Sequence, residues 1–450
     1  MRVVTAGVAA RGFELWASPE ATVARVDAAR TVDQLALTGH DGRDGDVARL
    51  AALGVDASRV PILWERCVSD DPTRIELGWA RRRLRLFAEA GVEPIVTLLH
   101  HGSGPRFTSL LDPEFPARFA AFAECVARAF PWIRRWTPIN EPLTTARFST
   151  LYGHWYPNLR DDLAFGRALV HQTLAILMGF ARIRLHAPQA QLVITEDLQQ
   201  FVDGDESARP YALFLRERMY LSIELVAGRV TAAHPLARFL TERCGVLPAE
   251  LAEIRARAVA PDLVAFNHYP HSERYLFTGQ DGAIADVPSV YVRGLDSPSA
   301  AGPLRRASDR LELPLALGEV HVHAPAAERV RWLAQHVDDV RMLRGAGLDL
   351  RAVGAWAAFG MRDWHSLLRR EEGVHEDGIY TFAGPAETPQ PTAVSAALAT
   401  LARDGRLADD GTRGWWERTD RYLEPHELAA RNARGEPEGD HILHRLAAAR

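Results

Sequence analysis

The sequence predicts a (β/α)8 TIM barrel, a single α/β domain with a C-terminal extension. Three observations point there. The chain has 450 residues, a length at which a barrel forms one unit. Eight short apolar runs recur along it, and longer amphipathic stretches separate several of them. In order, the runs are Phe13–Trp16, Ser58–Leu63, Pro94–Leu99, Arg134–Ile139, Leu192–Thr195, Leu263–Asn267, Pro314–Gly318 and Ala352–Ala357. Helical patterns cover Leu77–Ala90, Pro116–Ala129, Phe165–His186 and Ala327–Ala346. An open doubly wound sheet is the alternative arrangement of the same elements. No internal repeat is visible. The stretch Gln280–Arg306, rich in Gly, Pro and Ser, reads as a long loop before the seventh strand. The expected organisation is a barrel over 1–400 and an extension over 401–450 that packs on the barrel or is partly mobile. Trp415 and Trp416 are the residues that would pin it down.

Composition removes several mechanisms. All 53 basic residues are Arg, so a Schiff-base lysine, a pyridoxal-phosphate anchor and a P-loop lysine are impossible. The net charge of −5, with no clustered basic face, gives no reason to expect nucleic acid. Cys67, Cys125 and Cys244 are far apart and form no CxxC pair, which argues against a disulfide framework. No apolar run approaches the length of a membrane span, and no long apolar leader follows Arg2. A cytoplasmic protein with no membrane partner is the expectation.

Two apolar strands end on a carboxylate. Trp136-Thr137-Pro138-Ile139-Asn140-Glu141-Pro142 places Glu141 at the C-terminal end of strand four, the end where barrels carry their catalytic groups. Partial desolvation there raises a carboxyl pKa and suits it to deliver a proton. Asn140 beside it can hydrogen-bond a sugar 2-hydroxyl. The bland reading is a helix start, with Pro142 in the first turn. Leu313-Pro314-Leu315-Ala316-Leu317-Gly318-Glu319 repeats the pattern on strand seven. Glycoside hydrolysis needs such a carboxylate pair.

With these motifs in place, the chain resembles glycoside hydrolase family 1, the β-glucosidase family, from about Phe13 to Phe382. The resemblance implies a retaining β-glycosidase, with Glu141 as acid/base and Glu319 as nucleophile, acting on a small-molecule glycoside without a cofactor. It implies that Arg59 lies beside the nucleophile and that His100 touches the bound sugar. It also implies that Tyr269, in Asn267-His268-Tyr269, hydrogen-bonds the nucleophile, and that Trp356 floors the sugar site. Trp64-Glu65-Arg66, His100-His101-Gly102-Ser103-Gly104-Pro105 and Leu151-Tyr152-Gly153-His154-Trp155-Tyr156 are similar to a bacterial subgroup. There the barrel is often fused to a sugar-nucleotide reductase resembling dTDP-4-dehydrorhamnose reductase. The chain carries no GxGxxG, so such a reductase would be a separate partner.

The departures bear on substrate. The family's Thr-Glu-Asn-Gly reads Gly318-Glu319-Val320-His321 here. Its sugar-binding Gln would fall near Ala24, with Glu20 a neighbouring replacement, and Asp363 stands where a sugar-binding Glu is usual. Plain glucose is therefore not the expected glycone. Transglycosylation on the same residues, and a non-catalytic sugar-binding barrel, are the alternatives. His321-Val322-His323 and His100-His101 would be the start of a metal site, but a bridging carbamylated Lys is impossible. No metal is expected.

Overall fold

The computed structural model describes Val8 and residues 11–69, 71–408 and 411–433. Eight parallel strands close a barrel: β1 (Glu14–Ala17), β2 (Ala57–Pro61), β3 (Glu93–His100), β4 (Arg135–Asn140), β5 (Gln191–Asp197), β6 (Leu263–His268), β7 (Leu315–Val320) and β8 (Leu350–Ala355). Neighbours in the ring are neighbours in the chain, and β1 pairs with both β8 and β2. All eight apolar runs are strands, shifted by a residue or two at their ends.

The runs are nearly continuous in apolar character because both faces are covered. Trp16, Ala57, Ile95, Val193, Leu263, Ala265, Ala316 and Ala352 fill the interior. Trp136, Leu192, Ile194, Phe266, Leu315 and Leu317 face outward into the layer shared with the helices. At the N-terminal end of the barrel Arg135 pairs with Glu14 at 2.6 Å and Glu93 at 2.5 Å. The predicted helices occupy Gly78–Ala90, Phe115–Ala129, Asp162–His186 and Ala326–Gly345. The Asp161 carboxylate caps the third of these, accepting from the N–H groups of Leu163 and Ala164. That helix is long and apolar enough to cross a membrane, but 78% of its most apolar window is buried within the fold.

The expectation of a featureless loop over Gln280–Arg306 is corrected. Ile284–Pro288 pairs antiparallel with Glu273–Thr278, which in turn pairs with Gln200–Asp203. A helix starts at Ala301, inside the same stretch. Glycine and proline content marks the turns between these pieces but hides their pairing. Past Leu401, Trp415 stacks on Tyr291 and Trp416 packs edge-on against Trp332. Trp416 Nε1 donates to Gln335 Oε1 at 3.0 Å. The chain beyond 433, part of the expected extension, lies outside the described residues.

Two irregularities aim the functional face. Strict alternation on β7, with Ala316 inside and Leu317 outside, would put Gly318 inside and Glu319 outside. The register against β6 slips between Leu317 and Glu319, so Glu319 turns inward. Gly318 is the residue that allows it: a Cβ there would lie 2.9 Å from Asn267 Oδ1. The register of β4 against β5 slips likewise between Trp136 and Asn140, bringing Asn140 inward after an outward Trp136.

Candidate active site

The C-terminal ends of β2, β3, β4, β6 and β7 meet around Glu141 and Glu319. Arg59, on β2, donates with one terminal nitrogen to Glu319 Oε1 and with the other to Asn140 Oδ1. Tyr269 Oη donates to the second oxygen of Glu319. Both oxygens of Glu319 are therefore held. Burial raises the Tyr269 pKa well above its usual value, and the adjacent Glu319 and Glu141 push it the same way. Tyr269 stays a neutral donor.

Glu141 follows β4 with φ of 44°, in the left-handed region a side chain rarely adopts. Its turn is held from beneath. Glu141 N–H donates to Thr195 Oγ1 at 3.2 Å, and Leu143 N–H to Glu196 Oε1 at 2.7 Å. Ser222 Oγ also donates to Glu196 Oε1, at 2.7 Å. Asn267 Nδ2 donates to Glu141 Oε1 at 2.5 Å. Burial lifts the Glu141 pKa well above the usual carboxylate range. Glu319, Asp197 and Glu196 add to the rise, and the Asn267 bond opposes it. A buried carboxyl held in its acid form lies beside one gripped at both oxygens by a guanidinium and a phenol, an arrangement that suits acid catalysis beside a nucleophile.

The Asn140 amide is oriented unambiguously. Its Oδ1 accepts from Arg59 and, at 2.9 Å, from Thr195 Oγ1. Its Nδ2 therefore points the other way, 3.2 Å from His100 Nε2 and 3.3 Å from His101 Nε2. An amide NH2 only donates, so both imidazoles accept at Nε2 and carry their proton on Nδ1. His101 passes that N–H to Thr145 Oγ1 at 3.0 Å. His100 Nδ1 is buried with no partner. Burial first, then the neighbouring His101 and Arg59, hold His100 well below its usual pKa. His101 falls to about 3 for the same reasons of burial and Arg59, so both rings are neutral. In this arrangement Asn140 has no amide hydrogen left for the expected sugar 2-hydroxyl.

Trp356 lies edge-on to Tyr269, with ring centroids 5.8 Å apart, and Trp364 lies edge-on to Trp356 at 6.3 Å. The indole nitrogen of Trp356 is buried without a partner, and the Trp364 indole lies against the Glu20 carboxyl. Glu20 is buried beside Trp364 and is felt electrostatically by Glu319. Ala24 is elsewhere: it pairs with Val32 in a short hairpin. Of the two neighbouring candidates in this loop, the structure brings Glu20 to the cluster. Asp363 lies on the loop after β8. Its Oδ1 accepts from Val374 N–H at 2.9 Å and its Oδ2 faces the Arg362 guanidinium at 3.6 Å, so its carboxylate is engaged by its own loop.

His101 is the residue that motif reasoning about sugar contacts passed over. Its Nε2 is 3.6 Å from Glu141 Oε2. The doublet His100-His101 was visible, but a strand-end φ of 56° that turns both rings inward was not. The histidines weighed as metal ligands have protein partners. His321 Nδ1–H donates to the Trp356 carbonyl at 2.9 Å, and Glu376 Oε2 sits 3.3 Å from His321 Nε2 and 2.7 Å from His323 Nδ1. Burial alone would raise the Glu376 pKa, but the bonds to both histidines outweigh it and hold the carboxyl well below the usual range. Glu65 ties two of the subgroup motifs together by accepting from Gly104 N–H at 2.9 Å.

The fold is shared with β-glucosidase from Thermotoga maritima in complex with cyclophellitol, at a TM-score of 0.70, 17% identity, 88% of this chain and 99% of that one. Beta-glucosidase 4 of Oryza sativa subsp. japonica is 30% identical over 121 residues, 25% of either chain. Coniferin beta-glucosidase of Pinus contorta is 29% identical over 105 residues, 22% of this chain and 20% of that one. The chain thus spans about a quarter of the length of the curated relatives it matches. The family model for glycosyl hydrolase family 1 matches residues 11–272, which takes in Arg59, His100, Asn140, Glu141 and Tyr269 and stops short of Glu319. That match covers more than half of the 450 residues, and the chain belongs to glycosyl hydrolase family 1.

Proposed function

We propose that the chain is a retaining β-glycosidase. Glu319 attacks the anomeric carbon and forms a glycosyl ester. Glu141 gives its proton to the departing oxygen, then takes one from the water that cleaves the ester. The observation that carries the reading is the unequal treatment of two carboxyls at one barrel mouth. Glu319 receives a guanidinium and a phenol. Glu141 is buried among carboxylates with one amide donor. Burial of Glu141 favours its acid form, while Arg59 and Tyr269 hold both oxygens of Glu319 and aim it. No step asks for a cofactor. The β-glucosidases among the relatives and structural neighbours support the same class of substrate.

The test is turnover of a panel of aryl β-glycosides, deoxysugars included, followed by trapping with a 2-fluoro analogue. A sugar adduct on the peptide containing Glu319 is the expected result. Turnover with an adduct elsewhere would remove Glu319 from the role, and no turnover of any member would remove the glycosidase reading.

A further inference from the structure

We propose that the site is built for a cationic sugar, an aminodeoxy glycoside whose ammonium group seats on Oε2 of Glu20. The proposal rests on the glycosidase reading for where the sugar lies, and it names the substrate class.

Glu20 is 1% exposed and lies in the loop after β1. Its Oε1 accepts from Thr22 N–H at 2.7 Å. Beyond Thr22 its one further contact is the indole of Trp364, and no cation pairs with it among the described residues. A buried carboxylate with no cation beside it is among the most costly groups a fold can hold. Its neighbours point into the site: Trp364 lies beside it, and Glu319 acts on it electrostatically.

Charge accounting favours a cation over a hydroxyl. Arg59 is taken up by Glu319 and Asn140. Glu141 is neutral as the acid, and His100 and His101 are neutral rings. Glu20 is then a buried carboxyl with no cation beside it, and a ligand with one ammonium group would supply one. A charge-assisted bond is also roughly twice as strong as a neutral one. The unpartnered indole N–H of Trp356 would donate to a hydroxyl oxygen of the same ring, and the aromatic faces of Trp356 and Trp364 favour a nearby cation. Burial drives the Glu20 pKa up to about 7, as expected of a carboxyl without a cation.

The experiment measures kcat/KM for 4-nitrophenyl β-glucoside and its 2-, 3-, 4- and 6-amino-deoxy analogues with the native enzyme and with Glu20→Gln. At least one amino sugar should exceed the glucoside by about tenfold or more, and Glu20→Gln should erase or invert that preference. A native enzyme that prefers the glucoside over every amino analogue overturns the proposal and leaves the glycosidase reading standing. So does a preference that survives Glu20→Gln. If nothing in the set is hydrolysed, that reading fails on its own. Calorimetric titration of the corresponding methyl glycosides into the native protein then decides the proposal: tighter binding of an amino sugar sustains it, and equal or weaker binding overturns it. The native panel alone suffices if the variant does not fold.

Discussion

Asn267 donates its amide hydrogen to Glu141 Oε1 across 2.5 Å, fixing which oxygen of that carboxyl can carry a proton. An oxygen that already accepts from an amide is the poorer seat, so the proton belongs on Oε2. That oxygen faces the neutral imidazole of His101 at 3.6 Å. The proton for the leaving group is therefore held on the side of His101, away from Asn267.

Glu141→Ala tests that role. Glycosides with poor leaving groups should lose about a hundredfold or more in kcat/KM, within the range general acids contribute. Activated aryl glycosides should lose far less in their first step. Azide should restore part of the second step, because the cavity left by the side chain admits a small anion. Equal losses across leaving groups, with no rescue by azide, would contradict the assignment.

Glu319→Gly should abolish turnover and leave thermal unfolding cooperative. Its side chain makes no apolar contribution to the barrel interior, and Arg59 keeps Asn140 as a partner. The check is paired assay and melting curves. Near-native turnover in the variant would contradict the role of nucleophile.

Glu196 gives a prediction about pH and stability. Burial raises its pKa from 4.5 to about 7, against the opposing bonds from Leu143 and Ser222. A carboxyl raised in the fold contributes fully at low pH and loses that contribution as pH climbs through its folded value. Stability should therefore fall by roughly 1.4 kcal/mol per pH unit from this group between about 4.5 and 7, and level off above. Glu196→Gln, which keeps the acceptor for Leu143 N–H, should flatten that part of the profile. Denaturant midpoints across pH 4.5–8 measure it; identical slopes in both proteins would refute the account.

Specificity follows from the loop that carries Asp363. Asp363 is a methylene shorter than the Glu usual there and already accepts from Val374 N–H and faces Arg362, so a ring hydroxyl gains less from it. Plain 4-nitrophenyl β-glucoside should then be turned over about tenfold less efficiently than the best 6-deoxy, 4-deoxy or otherwise modified analogue, one charge-assisted bond being worth roughly 1.5–3 kcal/mol. The glucoside leading the panel by an order of magnitude would contradict this.

Much of the fold was legible because barrel strands are buried on both faces and read as unbroken apolar runs. Glu141 and Glu319 stood out because each ends such a run. Other features depend on backbone geometry that residue types do not encode. The register slips that turn Asn140 and Glu319 inward are invisible in Ile139-Asn140 or Gly318-Glu319. Placing Glu20 rather than Ala24 in the site required the hairpin that carries Val23–Arg25 off to the side. Asp363 resembles a sugar ligand by position, and the bond it accepts from Val374, eleven residues on, is not legible there. His268, beside Asn267 and Tyr269, faces out of the barrel, its Nδ1 2.7 Å from His336 Nε2 on the helix Ala326–Gly345.

The most direct test of the account is the anomeric configuration of the first product, followed by proton NMR during hydrolysis of a β-glycoside that the enzyme accepts. A carboxyl nucleophile followed by water produces two inversions and releases the β-anomer first. Appearance of the β-anomer before mutarotation is the predicted result. The α-anomer appearing first would mean a single displacement by water and would contradict the role of Glu319.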